Sequence, residues 1–216
     1  GYLAHERGLL DRYAGLPRYA GSRIDRIYSS PEEVASFPAE VVAARLEELA
    51  ALRRALEKNP RDYDQWLEVG VAKKFFNDYA GARDAWEYAT LVAPRVSTAY
   101  INLANLYANY LRDLPRAEYN YRAAIARDRN VFPHFYLALA DFYATQPAYP
   151  KEKVEATLKE GIAAIPSDAS LKVRLGLYYR DEGNVALAIK YLKEALATNP
   201  GLEEVRKELE KLQDAG

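Results

Sequence analysis

Few side chains in this sequence are of the types that catalyse reactions or hold metal ions. The two histidines, His5 and His134, stand far apart, and neither has histidine or acidic neighbours at zinc-ligand spacing. Cysteine is absent, which excludes disulfides, thiolate metal sites and a cysteine nucleophile. There is no glycine-rich phosphate loop and no G-x-S-x-G turn, and the acidic residues are scattered along predicted solvent faces. We therefore predict that the chain is not an enzyme and needs no metal or cofactor.

Three asparagines are better suited to binding than to catalysis. Asn102, Asn105 and Asn109 are spaced three and four residues apart, which predicts that they share one face of a helix. An amide side chain both donates and accepts hydrogen bonds, so the row matches the polar groups of an extended peptide backbone. Asn is a mediocre helix former, and its repeated use favours a binding role. Solvation of an exposed face explains the row equally well.

The charge balance of the chain argues against two classes of partner. Its 216 residues include 30 basic and 31 acidic side chains, so the molecule has no long-range field that would attract nucleic acid or an anionic membrane. No apolar run approaches the ~20 residues of a membrane helix. We expect a soluble chain without direct membrane insertion. Because it begins at Gly1 and contains no methionine, it is either cytoplasmic or an extracytoplasmic domain whose signal or anchor was removed.

Four prolines mark an internal repeat. Pro60, Pro94, Pro166 and Pro200 are 34, 72 and 34 residues apart, and 72 is twice 36. Between them the apolar residues recur three and four positions apart, which is the spacing of helices and not the alternation of strands. A unit of 34 to 36 residues with two helices is predicted.

Within each unit the same residue types return in the same order. The first helices contain Trp66-Val69-Gly70, Tyr100-Leu103-Ala104-Tyr107, Tyr136-Leu139-Ala140-Tyr143 and Leu175-Gly176-Tyr179, and the second helices contain Ala82-Trp86-Ala89, Ala117-Tyr121-Ala124, Val154-Leu158-Gly161 and Ala188-Leu192-Ala195. This series resembles the tetratricopeptide repeat, whose signature is W-x2-L-G-x2-Y, then A-x3-F, then P over 34 residues. The resemblance covers residues 61–200. It departs from the signature at Lys73 instead of Tyr, at Arg129 instead of Pro and at Val154 instead of Ala.

The resemblance implies an all-α fold, a right-handed superhelical solenoid of antiparallel helix pairs. In such a stack the aromatic and Leu positions form a continuous core between pairs, and the small residues permit close crossing of the two helices of one pair. We divide the chain into an N-terminal arm over 1–37 that is partly helical, a capping helix or degenerate repeat over 38–60, four helix pairs over 61–200 and a capping helix over 201–216. The last segment has Leu202, Val205, Leu209 and Leu212 on one stripe and charge elsewhere, as expected of a solvating cap.

The arm has an unusual composition. It carries Tyr2, Tyr13, Tyr19, Tyr28 and Phe37 interleaved with Arg7, Arg12, Arg18, Arg23 and Arg26. One interpretation is that the arm folds back over the first helix pairs or links to a lost anchor. The other is that it docks on a second copy or on a partner, because Tyr and Arg are enriched at interface hot spots.

The resemblance also implies where a partner binds, because solenoids use the concave surface lined by the first helix of each unit. The family's groove positions fall on Leu67, Val71 and Lys74, on Ile101, Asn102, Asn105 and Asn109, and on Leu137, Asp141, Val173, Arg174 and Leu177. Of these we predict Lys74, Asn102, Asn105, Asn109, Asp141 and Arg174 as contacts to a protein or peptide. Some family members clamp an acidic peptide C-terminus, but Ile101, Ala138 and Ser170 stand where clamp side chains are needed, so we do not predict that specificity.

Two functions follow as expectations. The first is a non-catalytic module that binds a peptide or protein in its groove, as an assembly scaffold or adaptor. The alternative is a self-associating structural scaffold, a homo-oligomer. The run Ala99-Tyr-Ile-Asn-Leu-Ala-Asn-Leu-Tyr is similar to bacterial repeat proteins that follow a membrane anchor, and this likeness would make the chain the soluble part of an envelope protein.

Overall fold

The computed structural model describes residues 15–214 of the chain, and within this range the chain is helical without strands. The predicted all-α class is confirmed. The helices are α1 (Pro31–Ala35), α2 (Ala39–Lys58), α3 (Tyr63–Phe75), α4 (Tyr79–Val92), α5 (Thr98–Leu106), α6 (Leu114–Arg127), α7 (Pro133–Thr145), α8 (Glu152–Ala164), α9 (Ala169–Asp181), α10 (Val185–Thr198) and α11 (Glu203–Asp214). A π-helical segment, Tyr107–Leu111, follows α5 directly. Predictions for Tyr2, His5, Arg7, Arg12 and Tyr13, and for the end of the cap at 215–216, lie outside the described residues.

The chain divides into two compact units between Arg112 and Asp113. The first unit contains α1 to α5 and the π-helical segment, and α3 packs against α4. The second contains α6 to α11, in which α7 pairs with α8 and α9 with α10, and α11 packs on α10.

Short polar side chains begin most of the long helices. An Asp or Asn just before the helix accepts a hydrogen bond from a backbone N–H of the first turn, which has no partner within the helix. These capping residues are Asp62 for α3, Asp78 for α4, Asp113 for α6, Asp168 for α9 and Asn184 for α10. At α1, Ser30 and Glu33 form a reciprocal capping box.

The small residues of the first helices lie where the second helix crosses. A Cβ atom on Gly70 would lie 2.1 Å from Nε1 of Trp86 in α4, and one on Gly176 would lie 2.8 Å from Cδ2 of Leu192 in α10. Ala104 and Ala140 are fully buried. The interpretation that these positions are small because helices cross closely is therefore confirmed for both glycines.

The turns after three of the first helices, α3, α5 and α9, reverse the chain through a left-handed residue. Asn77 and Gly183, each seven positions after the small residue of its helix, have φ angles of 61° and 75°. After Ala104 the corresponding residue is Arg112, with φ of 57°, eight positions on. The π-helical segment accommodates the additional residue, because an α-helix with one inserted residue commonly forms a π-helical turn at that point. The left-handed residue thus keeps its place at the end of the helix.

The end of each repeat is tied to the helix that follows it. A side-chain donor six or seven positions after the closing residue bonds to that residue's backbone carbonyl. The bonds run from Trp66 Nε1 to Pro60 O (2.9 Å), Tyr100 OH to Pro94 O (3.4 Å), Tyr136 OH to Arg129 O (3.1 Å), Lys172 Nζ to Pro166 O (2.7 Å) and Arg206 Nη2 to Pro200 O (2.7 Å). Trp, Tyr, Lys and Arg can replace one another at this repeat position because each brings a donor to the equivalent carbonyl of its own repeat. Because Arg206 makes this bond, α11 is positioned relative to Pro200 as a first helix is positioned relative to the closing residue before it.

Buried tyrosines connect successive helix pairs. Each lies at the end of a first helix and donates to a glutamate of the preceding second helix. The bonds are Tyr107 to Glu87 (2.5 Å), Tyr143 to Glu118 (2.6 Å) and Tyr179 to Glu155 (2.7 Å). Burial and the adjacent Glu118 carboxylate raise the pKa of Tyr143. Burial alone would raise the pKa of Glu118, but hydrogen bonds from Lys153 and Tyr143 outweigh it and lower that pKa.

We expect Tyr143→Phe to lower the free energy of unfolding by about 1–2 kcal/mol, because it removes a hydrogen bond from a buried phenol to a carboxylate. The loss stays below the upper end of that range because Lys153 Nζ, 2.5 Å from Glu118 Oε1, still neutralises the carboxylate. Urea unfolding measures the difference. Tyr119→Phe is the matched control, since Tyr119 on α6 is 67% exposed. Equal unfolding midpoints for the two variants would contradict the prediction.

The described part of the arm folds back on the first unit, in agreement with the first of its two interpretations. The Tyr19 ring packs between Trp66 and Tyr88, with ring centroids 4.6 and 5.4 Å away. The backbone N–H and the hydroxyl of Ser22 both donate to Asp84 Oδ2, at 2.8 and 2.6 Å. The arm thus contacts both helices of the first pair.

Lys73, which stands where the repeat signature has Tyr, is the polar anchor of the arm. Its side chain is fully buried, and Nζ lies 3.0 Å from Asp78 Oδ2 and 2.6 Å from the backbone oxygen of Arg26. Asp78 also accepts hydrogen bonds from the backbone N–H groups of Gly81 and Tyr28. A buried lysine and aspartate are therefore both satisfied, in part by the arm backbone.

Candidate functional site

The second unit contains an open cavity of about 780 Å³ between α7, α9 and α11. We call it the α7–α9–α11 groove. Its floor is apolar and is formed by Leu137, Val173, Leu177, Leu202 and Val205. Its rim is polar and includes Asp141, Asp168, Ser170, Arg174, Thr198 and Asn199. An apolar floor with a few polar groups around it is the usual composition of a ligand-binding cleft.

Helix periodicity places the lining residues on one face. Leu137 and Asp141 are four positions apart on α7, and Val173 and Leu177 are four positions apart on α9. The side chain of Asp168 caps α9 at the edge of the groove, where Oδ1 accepts from Leu171 N at 2.9 Å. The end of the groove is therefore fixed by a helix cap.

Two predicted binding residues, Asp141 and Arg174, are brought together across the groove. Arg174 Nε and Nη2 lie 2.9 and 2.8 Å from the same carboxylate oxygen, Asp141 Oδ1. The Asp141 side chain is 59% exposed and that of Arg174 28%. An ion pair this exposed contributes at most about 1 kcal/mol to stability. Its consequence here is geometric, because it holds both side chains at the rim.

The other four predicted residues lie in the first unit. Lys74 Nζ lies 5.1 Å from the centre of the Tyr110 ring, and Tyr110 packs on Tyr79 with centroids 4.5 Å apart. Asn109 is exposed, and its amide donates to the backbone oxygen of Asn105 at 3.0 Å. Asn102 and Asn105 are half-buried.

The three asparagines, expected on one helix face, do not lie on one uninterrupted α-helix. Helix α5 ends at Leu106, and Asn109 lies in the π-helical segment. The inserted residue displaces Asn109 from the position it would have on an uninterrupted α-helix. Asn102 and Asn105 keep their three-residue spacing on α5.

Sequence reasoning missed three residues of these surfaces. Leu202 and Val205 were assigned to a solvating cap, yet they line the groove. The signal was present, since Arg206 follows Lys172 by one 34-residue period. Tyr110, 43% exposed beside Lys74, owes its place to the π-helical segment and carried no signal.

Residues 151–203 match the family model described as tetratricopeptide repeat. A crystal structure of MamA is similar to the chain, with a TM-score of 0.56 and 20% identity over 72% of this chain and 88% of that one. The family model thus assigns residues 151–203 to the tetratricopeptide repeat, and the chain shares the fold of solved TPR proteins. YrrB, described as a TPR protein with an unusual peptide-binding site, matches with a TM-score of 0.51 and 17% identity over 72% of this chain and 78% of that one. TTC0263, a thermophilic TPR protein from Thermus thermophilus, matches with a TM-score of 0.50 and 17% identity over 85% of this chain and 99% of that one.

A search of the curated proteins finds no match to the chain. Its structural neighbours share the solenoid fold of helix pairs. Proteins of this repeat family generally act as scaffolds for protein–protein interaction through a concave surface. None of the helices within residues 15–214 combines the length and apolar character that a bilayer crossing requires. Among the same residues no group of three or more His, Asp or Glu side chains is placed to hold a metal ion.

Proposed function

We propose that this tetratricopeptide-repeat protein is a non-catalytic interaction module that binds an extended peptide, or an extended segment of a partner protein, in the α7–α9–α11 groove. The observation that carries the proposal is the cavity of about 780 Å³, which lies within the range of about 300–1,000 Å³ typical of ligand clefts. Its lining includes five positions that the repeat family uses for binding, Leu137, Asp141, Val173, Arg174 and Leu177.

The composition of the groove supports a peptide ligand. The half-buried floor of Leu and Val side chains offers apolar area for one or two ligand side chains, which supplies affinity. The rim offers hydroxyl, amide and carboxylate groups that would bond a peptide backbone and fix its direction. YrrB, which has a similar fold, is described as having a peptide-binding site. Lys74, Asn102, Asn105 and Asn109 stay predictions as further ligand contacts in the first unit.

The test uses the full chain and a phage library that displays random twelve-residue peptides. We expect selected peptides to bind wild-type protein and to lose at least tenfold in affinity with Leu177→Gln, because a polar amide at the groove floor would be desolvated without a partner. Fluorescence anisotropy with the synthetic peptides measures the loss.

The matched control is Val185→Gln, since Val185 on α10 is 40% exposed and does not line the groove. It should leave affinity unchanged. Circular dichroism must show the same helicity in both variants. Peptides that bind Leu177→Gln as tightly as wild type would exclude the groove as the binding site.

A further inference from the structure

We infer that the α7–α9–α11 groove selects basic, apolar peptides, in which Leu-type side chains sit on the floor and a Lys or Arg pairs with the acidic rim. This inference rests on the proposed function and adds the charge of its ligand. It comes from the three charged side chains of the rim: Asp141 and Arg174 pair with each other, whereas Asp168 has no basic partner among the described residues.

The two carboxylates of the rim each keep an oxygen available. Asp141 uses Oδ1 for both contacts with Arg174, and Asp168 uses Oδ1 for both Leu171 N and Ser170 Oγ. Neither Oδ2 atom accepts a hydrogen bond from the part of the chain that the structure describes. Since an ionised carboxylate accepts several hydrogen bonds, each rim carboxylate can take a ligand ammonium or guanidinium without giving up its present contacts.

Arg174, a basic residue of the groove lining, is already paired with a carboxylate. Arg174 has its Nε and Nη2 atoms on Asp141, so these two charges cancel and the rim keeps the negative charge of Asp168. Lys172 does not line the groove, and its Nζ lies 2.7 Å from Pro166 O and 2.6 Å from Thr198 Oγ1. The lining residues therefore sum to one negative charge, from Asp141, Asp168 and Arg174.

The apolar floor requires that the ligand carry apolar side chains as well as its Lys or Arg. Val173, Leu177, Leu202 and Val205 are half-buried in the empty groove, so covering them removes further apolar area from water. A purely basic, hydrophilic peptide would leave this area uncovered. A ligand that alternates apolar and basic residues satisfies the floor and the rim together.

The experiment compares three pools of fluorescein-labelled nine-residue peptides on the full chain. All pools have Leu at positions 4 and 6 and a mixture of Ala and Ser elsewhere, except that positions 3 and 7 are both Lys, both Ser or both Glu. We expect the Lys pool to bind at least tenfold more tightly than the Glu pool and more tightly than the Ser pool. The preference should shrink as salt rises from 50 to 500 mM, because exposed charges are screened.

Two isosteric substitutions remove the acidic rim without removing its structural bonds. Asp168→Asn keeps a good helix cap, and Asp141→Asn keeps an oxygen for Arg174. The double variant should lose the preference for the Lys pool, because Arg174 then leaves the rim with a positive charge. Asp181→Asn, which neutralises a 59% exposed aspartate of α9 outside the groove, should leave the Lys preference intact.

The outcomes separate this inference from the proposed function. If the Ser or Glu pool binds as well as the Lys pool, or if the Lys preference survives in the double variant, the inferred ligand charge is wrong while groove binding stands. If no pool binds and the phage selection also yields no groove-dependent peptide, both are wrong.

Discussion

Lys73→Met should lower the free energy of unfolding by about 3–5 kcal/mol, the usual cost of removing one partner from a buried ion pair. The Asp78 side chain is only 2% exposed, so its charge would lose its cation without gaining water. Lys73 also donates to the Arg26 carbonyl, so the arm should loosen as well. Urea unfolding measures the stability. The rate of trypsin cleavage after Arg26, followed by mass spectrometry, measures how far the arm has loosened.

Two variants test the reason for this loss. Lys74→Met changes the adjacent residue, which is half-buried over Tyr110, and should cost less than about 1 kcal/mol. Adding Asp78→Asn to Lys73→Met should restore part of the stability, because no buried charge remains unpaired while the capping oxygen is kept. If Lys73→Met unfolds at the wild-type urea concentration, the buried pair does not stabilise the protein.

Gly70→Ala should destabilise the protein by about 2–3 kcal/mol, although alanine is the better helix former by about 1 kcal/mol. The added Cβ would lie 2.1 Å from Trp86 Nε1, and the indole cannot simply move because Nε1 donates to Leu67 O at 3.1 Å. Thermal and urea unfolding both report the change.

The matched comparison is Gly176→Ala, where the obstructing atom is Cδ2 of Leu192 at 2.8 Å. A leucine end group yields more easily than a hydrogen-bonded indole, so this variant should cost clearly less than Gly70→Ala. A double-mutant cycle of Gly70→Ala with Trp86→Leu should show a coupling of more than about 1 kcal/mol. Additive effects would mean that Gly70 is small for a reason other than Trp86.

The sequence was sufficient to predict the helix pairs, because their determinants are local and periodic. Proline spacing, small residues at the crossings and aromatic residues in the core all repeat along the chain. The same repetition assigned Leu137, Asp141, Val173, Arg174 and Leu177 to a binding face, and the structure places them around one cavity.

The features that were missed depend on single residues that break the repetition. Lys73 was interpreted as a departure from the signature, and its pairing with Asp78 and the arm backbone depends on contacts to residue 26, far away in sequence. The π-helical segment moved Asn109 and Tyr110 because one inserted residue changes helix geometry, which hydrophobic spacing does not reveal. The contribution of α11 to the groove lining was missed because its charged surface was interpreted as a solvating cap, although the 34-residue period extends to Arg206.

The π-helical segment also indicates how this fold tolerates changes in length. One additional residue before Arg112 is taken up at the end of a first helix, and the turn after α7 takes up two more around Gln146 to Lys151, while the glycine and alanine crossings stay in phase. Helix ends are thus the places where the chain accepts insertions without disturbing the packing between helices. For engineering, they are natural positions for grafting a tag or a second recognition loop.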